Sequence, residues 1–354
     1  MCIRDRISTS FLTSGTSSDV RGRHAIYDLE WYRFFSTFGM RQALYPEWGL
    51  GGGPILALLS PASETPESSL SCMAQFAMDD VPEGSHLWGM EDGRVVYEEC
   101  MEWMNAVCSQ EAPVLIMGTS FAWVHLLEEM QSNAHQFCLP EGSRVMETGG
   151  FKGRSREVAP EELHRWMSEC LGINEGQIIN EYGMTELMSQ LYSHPQHADG
   201  RLQPPPWVRV LAIEPGSGSP QASGEMGVLA LVDLANLTST VVLKTLDLGW
   251  VNSDGSVQLR GRASSVSPRG CSLPMEESLP RLPGLGQVHP GIEAAETWLN
   301  GWEEKPGFPA HWTVEDWVGA LQDILAHLNE AFTHGSQFQK VWASLASVSY
   351  THLR

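Results

Sequence analysis

The chain has 354 residues, of which 42% are hydrophobic, so it can bury a large core, and this length favours one large and one small domain. Its formal net charge is −21, with 43 acidic residues against 22 lysines and arginines, which argues against non-specific binding to nucleic acid or to anionic membranes. The longest apolar run, at residues 55–59, is far too short to span a bilayer.

The two ends of the chain are related as complementary DNA strands would be. Residues 1–5 can be encoded by ATG TGT ATA AGA GAC, and the reverse complement of that string encodes Val-Ser-Tyr-Thr-His, the sequence of residues 348–352. We therefore expect residues 1–6 and 348–354 to be translated adaptor sequence that plays no part in the fold. We also expect the natural chain to extend further at both ends.

The cysteines are scattered, without a CxxC pair or a metal-type spacing, and this pattern favours a reducing, cytoplasmic compartment. Five of them lie in helix-like or strand-like surroundings and are predicted to be packing residues. They are Cys72, Cys100, Cys108, Cys138 and Cys170.

Strand–turn–helix units follow one another through the first two hundred residues. Helices are predicted at residues 27–39, 121–130 and 160–171, with Ser120 as the N-cap of the second, Pro160 in the first turn of the third, and Gly172 just past its end. Strands are predicted from residue 55 and at residues 114–120, 144–150 and 177–180. This alternation predicts a layered α/β fold over residues 7–206.

From Trp207 the pattern changes to short strand candidates separated by glycine-rich turns. They lie at residues 208–213, 228–232, 241–243 and 257–259, with Asp-Gly at 254–255 as a hairpin turn, and they predict a β-rich subdomain with a hinge over residues 207–273. Residues 274–347 form a segment that is first proline-rich and then helical from about 314 to 332, and no function is assigned to it.

A hydroxyl-rich loop near the start of the chain suits phosphate oxygens. Residues 13–18 read Thr-Ser-Gly-Thr-Ser-Ser, and they offer hydroxyl and main-chain N–H donors, with Gly15 permitting close backbone approach. Ser14, Gly15 and Thr16 are therefore candidates for binding phosphate, although the loop considered alone is more typical of a flexible polar linker.

Three segments, in this order, resemble the ATP-handling elements of the adenylate-forming superfamily, which includes acyl-CoA and aryl-CoA ligases and luciferase-like enzymes. They are the loop at residues 13–18, Tyr-Gly-Met-Thr-Glu at residues 182–186, and Thr-Leu-Asp-Leu-Gly at residues 245–249 followed by Gly261 and Arg262. The resemblance implies that ATP and Mg²⁺ activate a carboxylic acid. The loop differs from the family pattern, since arginines at positions 21 and 23 follow it where a lysine normally stands.

The resemblance assigns roles around the adenine and the α-phosphate. Tyr182 is expected to stack on adenine, Thr185 to contact the α-phosphate and Glu186 to hold Mg²⁺, a hard cation that prefers carboxylate oxygens. Gly149 and Gly150 correspond to the small-residue strand end beneath the adenine. Considered without the resemblance, residues 182–186 fit equally well a strand-end turn whose Thr and Glu cap a helix.

Two further roles fall on the β-rich segment. Asp247 is expected to accept hydrogen bonds from the ribose hydroxyls, as carboxylates do in other nucleotide sites. Arg262 is expected at the hinge, where it reaches the phosphate or the ribose.

A closer resemblance is to the bacterial acyl-protein synthetases of the LuxE type, the ligase component of a fatty-acid reductase. It rests on Thr-Gly-Gly-Phe-Lys-Gly-Arg-Ser-Arg-Glu-Val at residues 148–158 and on Arg-Gly-Cys-Ser-Leu at residues 269–273. It implies that a fatty acid is adenylated, that the acyl group moves to an enzyme cysteine, and that a partner acyl reductase receives it. Cys271 is the predicted acceptor because Arg269 would favour its thiolate form, and an incidental cysteine is the alternative.

Other side chains near these motifs allow two interpretations each. Lys152, Arg154 and Arg156 form a basic group that faces a phosphate or the partner, or else lies in a solvated loop. Phe121 and Trp123 either line the acyl pocket or belong to the core, and helical spacing favours the core.

Two other functions stay open at this point. In an acyl-CoA or aryl-CoA ligase similar to the phenylacetate-CoA ligases, coenzyme A would replace the cysteine as acceptor. In a non-catalytic scaffold, the fold would only dock a reductase. The scaffold is suggested by the missing Pro-Lys-Thr-x-x-Gly-Lys-like segment, since Lys305 and Lys340 have different surroundings.

Overall fold

The computed structural model describes residues 7–13, 21–45, 52–110, 112–149, 158–194, 199–215, 218–236 and 239–262, with Arg262 described by its backbone alone. These residues belong to two compact units, which divide between Pro205 and Pro206. The predicted adaptor segments at residues 1–6 and 348–354 and the C-terminal segment at residues 274–347 lie outside the described residues.

The first unit alternates strands and helices, as its sequence predicts. Its strands are β1 (Thr9–Leu12), β2 (Arg23–Ile26), β3 (Ile55–Leu58), β4 (His86–Trp88), β5 (Met90–Glu91), β6 (Arg94–Val95), β7 (Leu115–Thr119), β8 (Arg144–Thr148), β9 (Ile178–Tyr182), β10 (Leu191–Ser193) and β11 (Leu202–Gln203). Its helices are α1 (Leu29–Leu44), α2 (Ser69–Asp79), α3 (Tyr97–Cys108), α4 (Ser120–Ser132) and α5 (Pro160–Leu171). No helix in the described part of the chain is long and apolar enough to cross a bilayer.

Seven strands of this unit pair side by side in the order β11–β10–β9–β8–β7–β3–β4. Neighbours from β4 to β9 are parallel, whereas β10 and β11 extend the sheet in antiparallel fashion. Because parallel strands need crossover connections, helices stand between them in the chain. The parallel arrangement also brings the carboxyl ends of β7, β8 and β9 to one edge of the sheet.

Successive residues of the central strands enter two different cores. Leu56 and Ile116 pack with α3, α4 and α5 on one face of the sheet, while Leu115 and Met146 pack with α1 and α2 on the other. This follows from the two-residue period of a strand. Since both faces are covered, β3 and the first three residues of β7 are continuously apolar rather than alternating.

Helix α1 is longer than predicted. It begins after Asp28, whose carboxylate accepts two main-chain N–H groups of the first turn. The predicted end at Gly39 is wrong, because Met40 and Leu44 extend the buried face of the helix by more than one turn and are fully buried. A single glycine within a helix is tolerated when the packing on either side continues.

The ends of α4 and α5 test the capping predictions. Ser120 is not the N-cap of α4; Thr119 is, and its hydroxyl accepts a hydrogen bond from the main-chain N–H of Ala122 at 3.2 Å. For α5 the predictions are confirmed, since Pro160 occupies the first turn and Gly172 ends the helix in the left-handed region with φ 66°.

The second unit, in its described part, is an antiparallel meander. Its strands are β12 (Val208–Ile213), β13 (Gly227–Asp233), β14 (Val242–Val251) and β15 (Val257–Arg262), each paired with the next. All four predicted strands are found, but β14 continues well beyond the predicted residues 241–243. The predicted hairpin turn is confirmed, with Gly255 at φ 83° and its N–H donating to the main-chain oxygen of Asn252 at 3.0 Å.

Candidate functional site

The carboxyl edge of the first unit's sheet carries a buried polar cluster on the side of α4 and α5. The hydroxyl of Ser120, at the start of α4, lies 2.5 Å from Oε1 of Glu147 and 2.6 Å from the main-chain oxygen of Gly149. From α5, Nε2 of His164 lies 3.1 Å from the other carboxylate oxygen of Glu147. The loop after β7 and the end of β8 are thereby fixed to each other.

On the opposite face of the same edge, a second buried carboxylate lies at the end of β9. Glu181 is 8% exposed, and Thr148 of the neighbouring strand donates a hydrogen bond to its Oε2. Burial raises the pKa of Glu181 to about 7, while the hydrogen bond from Thr148 opposes the shift. This carboxyl group therefore changes its charge near neutral pH.

The motif at residues 182–186 forms a turn directly after β9. Tyr182 is the last residue of the strand and is half-buried. The N–H of Leu187 donates to the main-chain oxygen of Met184 at 3.0 Å, and the chain then enters β10. The helix-capping alternative for Thr185 and Glu186 is wrong, because no helix begins between β9 and β10, a stretch that the structure describes in full.

This turn contacts the base of the predicted phosphate loop. The hydroxyl of Thr185 donates to the main-chain oxygen of Leu12 at 3.4 Å. Leu12 ends β1, and the next residue, Thr13, closes the hairpin by accepting the N–H of Gly22 at 2.8 Å through its hydroxyl. The loop that joins β1 to β2 therefore starts and ends beside the turn that carries Thr185.

Arg21 holds the same loop base. Its Nε donates to the main-chain oxygen of Thr13 at 2.7 Å, and one terminal nitrogen lies 3.4 Å from the main-chain oxygen of Leu12. Another terminal nitrogen reaches the carboxylate of Glu67 at 3.5 Å. Arg21, one of the two arginines that follow the loop, thus binds the backbone at the foot of the loop.

In the second unit, Asp247 stands in the irregular part of β14. It is opposite Arg262 of β15 in the strand register, and a bulge follows at Gly249. A Cβ atom at position 249 would lie only 2.3 Å from the main-chain oxygen of Gln258, so only glycine fits there. The N–H of Asp247 donates to the hydroxyl of Thr245 at 3.0 Å, and this bond holds the strand just before the bulge.

The structure describes some of the predicted site residues and not others. Gly149, Tyr182, Thr185 and Glu186 are described in the first unit; Gly149 has φ 81°, a conformation that favours glycine. Asp247 and the backbone of Arg262 are described in the second. The remaining predicted residues lie outside the described residues, namely Ser14, Gly15, Thr16, Gly150 and Cys271, together with the basic residues Lys152, Arg154 and Arg156.

Burial bears on three minor predictions. Trp123 is fully buried and its indole N–H donates to the main-chain oxygen of Met146 at 3.1 Å, so it is a core residue. Phe121 is partly exposed and packs edge-on against His125. The prediction that Cys138 is a packing residue is wrong, since it is exposed in the loop between α4 and β8; Cys100 and Cys170 are buried as predicted.

The sequence predictions missed the two buried glutamates at the strand ends. Glu147 directly follows the buried Val145 and Met146 of β8, and Glu181 stands two residues after the buried Ile179 of β9; a buried charged residue is unusual and therefore informative. Among the described residues there is no group of three or more side chains suited to a metal ion. Mg²⁺ is commonly held by one or two carboxylates with substrate phosphates, and the half-buried Glu186 fits such a role.

Comparison with proteins of known sequence places these features in a family. A family model described as "Acyl-protein synthetase, LuxE" matches residues 92–280, more than half of the chain. The long-chain-fatty-acid–luciferin-component ligase of Aliivibrio fischeri is 19% identical over 196 residues, covering 52% of this chain and 51% of that protein. Its counterpart in Vibrio harveyi is 20% identical over 195 residues, covering 53% and 51%. The chain spans about half the length of these curated relatives.

Solved structures of adenylate-forming enzymes share the fold. ATP-bound MatB from Rhodopseudomonas palustris superimposes with a TM-score of 0.51 at 15% identity, covering 73% of this chain and 48% of that one. O-succinylbenzoate coenzyme A synthetase (MenE) from Bacillus subtilis, in complex with ATP and magnesium ion, gives a TM-score of 0.52 at 19% identity, covering 75% and 52%. The predicted adenylate-forming α/β fold is confirmed, and the chain belongs to the LuxE acyl-protein synthetase family.

Proposed function

We propose that this protein activates a long-chain fatty acid with ATP and Mg²⁺ and then carries the acyl group as a thioester on Cys271. In the first step a carboxylate oxygen of the acid attacks the α-phosphorus, the bond to pyrophosphate breaks, and an acyl-adenylate forms. In the second, the Cys271 thiolate attacks the acyl carbon and AMP leaves. A partner acyl reductase would then take the acyl group.

The contact between Thr185 and Leu12 is the observation that carries the proposal. It supports a nucleotide site at the carboxyl edge of the first unit's sheet, because it joins the turn of residues 182–186 to the foot of a loop rich in phosphate-binding groups. Thr185 is proposed to contact the α-phosphate, and Ser14, Gly15 and Thr16 to bind the remaining phosphates. Developing negative charge would then meet several hydrogen-bond donors.

The other residues have proposed roles in the same reaction. Tyr182 would stack on the adenine, with Gly149 and Gly150 leaving room for the ring. Glu186 would hold Mg²⁺, which supplies positive charge to the phosphates. Asp247 would accept the ribose hydroxyls, and Arg262 would bind the phosphate or ribose.

Covalent labelling tests the proposal. The protein is incubated with ATP, Mg²⁺ and radiolabelled hexadecanoic acid without coenzyme A, denatured, and counted before and after hydroxylamine, which cleaves thioesters. We expect hydroxylamine-sensitive label on the wild type and on Cys138→Ala, the matched control at an exposed cysteine. Cys271→Ala should carry none. Label that survives the Cys271→Ala change would remove this cysteine from the mechanism.

The same assay separates the alternative functions. Since MenE is a coenzyme A synthetase, a coenzyme A ligase is the second candidate, and it would release soluble acyl-coenzyme A with no label on the protein. Pyrophosphate exchange that depends on fatty acid would eliminate the non-catalytic scaffold. A protein that neither exchanges pyrophosphate nor binds ATP would contradict both enzymatic functions.

A further inference from the structure

Glu181 lies at the junction of three strands, immediately before the turn that carries Tyr182 and Thr185. It is opposite Thr148 of β8 on one side and opposite Tyr192 of β10 on the other. Its side chain is buried, and the hydrogen bond from Thr148 holds one carboxylate oxygen. The neighbouring strand β8 therefore holds the carboxyl group in place through Thr148.

The other carboxylate oxygen, Oε1, lies against Gly183 in the turn. A Cβ atom placed on Gly183 would lie 2.3 Å from Oε1 of Glu181 and 3.3 Å from Cγ of Gln190. Gly183 does not have a positive φ, so its backbone conformation is open to any residue. Gly183 therefore packs directly against the carboxyl group of Glu181, and a side chain at position 183 would require this carboxyl group to move.

The described residues around Glu181 contribute hydroxyl groups and no cation. Tyr32 of α1 and Tyr192 of β10 face it, and burial, followed by the nearby Glu181, raises the pKa of Tyr192, so that this phenol stays neutral. Cys72 of α2 lies near Tyr32, and Tyr45 lies near Tyr192. Within the described ranges, no lysine, arginine or histidine forms an ion pair with Glu181, and Thr148 donates the hydrogen bond that would stabilise an ionised carboxylate there.

We propose that Glu181 is a positioning residue for nucleotide binding: its carboxyl group packs against Gly183, holds the turn and thereby sets the positions of Tyr182 and Thr185 against ATP. The inference rests on the proposed function. When the carboxyl group ionises, it is drawn towards water, and the turn loses its support. ATP should then bind less tightly, because two of its contacts are displaced together.

The steric part of the inference is tested without any activity, by a thermodynamic cycle between positions 181 and 183. Gly183→Ala should lower the melting temperature clearly in the wild type and much less in a Glu181→Ala background, where the space beneath the turn is empty. Gly39→Ala is the matched control, since its Cβ would meet only Tyr192 at 3.7 Å and should cost little. An equal loss from Gly183→Ala in both backgrounds would show that the turn does not rest on Glu181.

The positioning role is tested by ATP binding and pyrophosphate exchange between pH 6 and pH 8.5. In the wild type the Kd for Mg·ATP should rise several-fold through neutral pH, while Glu181→Gln, which is isosteric and always neutral, should give a flat profile. Glu181→Ala should raise the KM for ATP about tenfold and leave the KM for fatty acid unchanged. Identical pH profiles for the wild type and Glu181→Gln would overturn the inference.

Failure of the proposed function gives a different result. A wild type that binds Mg·ATP but shows no fatty-acid-dependent pyrophosphate exchange would contradict the ligase function, and the pH dependence of ATP binding would still decide the role of Glu181. A wild type that does not bind Mg·ATP at all would contradict both.

Discussion

The hydroxyl of Thr185 donates a hydrogen bond to the main-chain oxygen of Leu12, 173 residues earlier in the chain, at 3.4 Å. Leu12 is itself anchored, since its N–H donates to the main-chain oxygen of Glu67 at 2.9 Å. A short hairpin at the start of the chain is thus attached to the turn after β9. This attachment is needed if a loop between β1 and β2 is to act on the same phosphates as Thr185.

Replacing Thr185 by valine should loosen this attachment. Valine keeps the shape of threonine but has no hydroxyl, so the hydrogen bond is lost at a cost of about 1 kcal/mol or less in the free energy of unfolding. We expect faster amide hydrogen exchange in β1 and β2 and at least a tenfold loss of fatty-acid-dependent pyrophosphate exchange. Thr185→Ser is the control and should retain most of both. Unchanged exchange of the hairpin amides in Thr185→Val would contradict a role for this bond.

The start of α4 offers a paired prediction for two adjacent hydroxyl residues. Thr119 caps the helix, so Thr119→Ala should lower the free energy of unfolding by about 1 kcal/mol. Ser120 contacts Glu147 and Gly149 instead, and Ser120→Ala should disturb the strand end at Gly149 more than the helix. Chemical denaturation and helix amide exchange distinguish the two. Greater fraying of α4 in Ser120→Ala than in Thr119→Ala would reverse the assignment.

Much of the fold follows from local sequence signals. Strands β3 and β12 have the hydrophobic pattern expected of strands, and α5 ends at a glycine, the residue that commonly ends helices. Helices α2 and α3 were not predicted, although Met73 and Ala77, and likewise Cys100 and Met104, repeat at helical spacing and are buried. Polar residues between and around these buried positions made the helical period hard to recognise in the sequence.

The candidate site is less accessible to prediction because it depends on packing between distant segments. The family motif identifies Tyr182, Thr185 and Glu186 from the sequence. The resemblance places the loop at residues 13–18 and Thr185 on the same nucleotide, but no local signal shows the bond from Thr185 to Leu12 or the contact of Glu181 with Gly183. These contacts arise only when three strands and a hairpin come together. Strand β14 was underestimated for a related reason, because its polar residues and Gly249 interrupt the alternation on which strand prediction relies.

Thiol reactivity should differ sharply among the described cysteines. Burial raises the pKa of Cys72 and of Cys100 to about 12, so almost no thiolate is present at pH 8, whereas Cys138 is exposed. We expect iodoacetamide at pH 8 to modify Cys138 within minutes and to leave Cys100 unmodified until the protein unfolds. Peptide mass spectrometry gives the order of modification. Rapid alkylation of Cys100 in the folded protein would mean that α3 opens far more readily than its packing indicates.

The buried carboxyl group of Glu181 should leave a signature in stability as well as in binding. Its pKa is about 7 in the folded protein, against 4.5 without the effect of burial, so the folded state retains a proton that the unfolded state has released. Stability from this group is therefore fully present below about pH 4.5 and declines as the pH rises to about 7, by up to about 3 kcal/mol. Glu181→Gln has no such proton to lose. The difference in free energy of unfolding, Glu181→Gln minus wild type, should thus become more positive from pH 5 to pH 7.5 and then level off, as measured by urea denaturation. Two parallel curves over that interval would show that Glu181 titrates as an ordinary surface carboxylate, and the support of the turn by a protonated carboxyl group would then be ruled out.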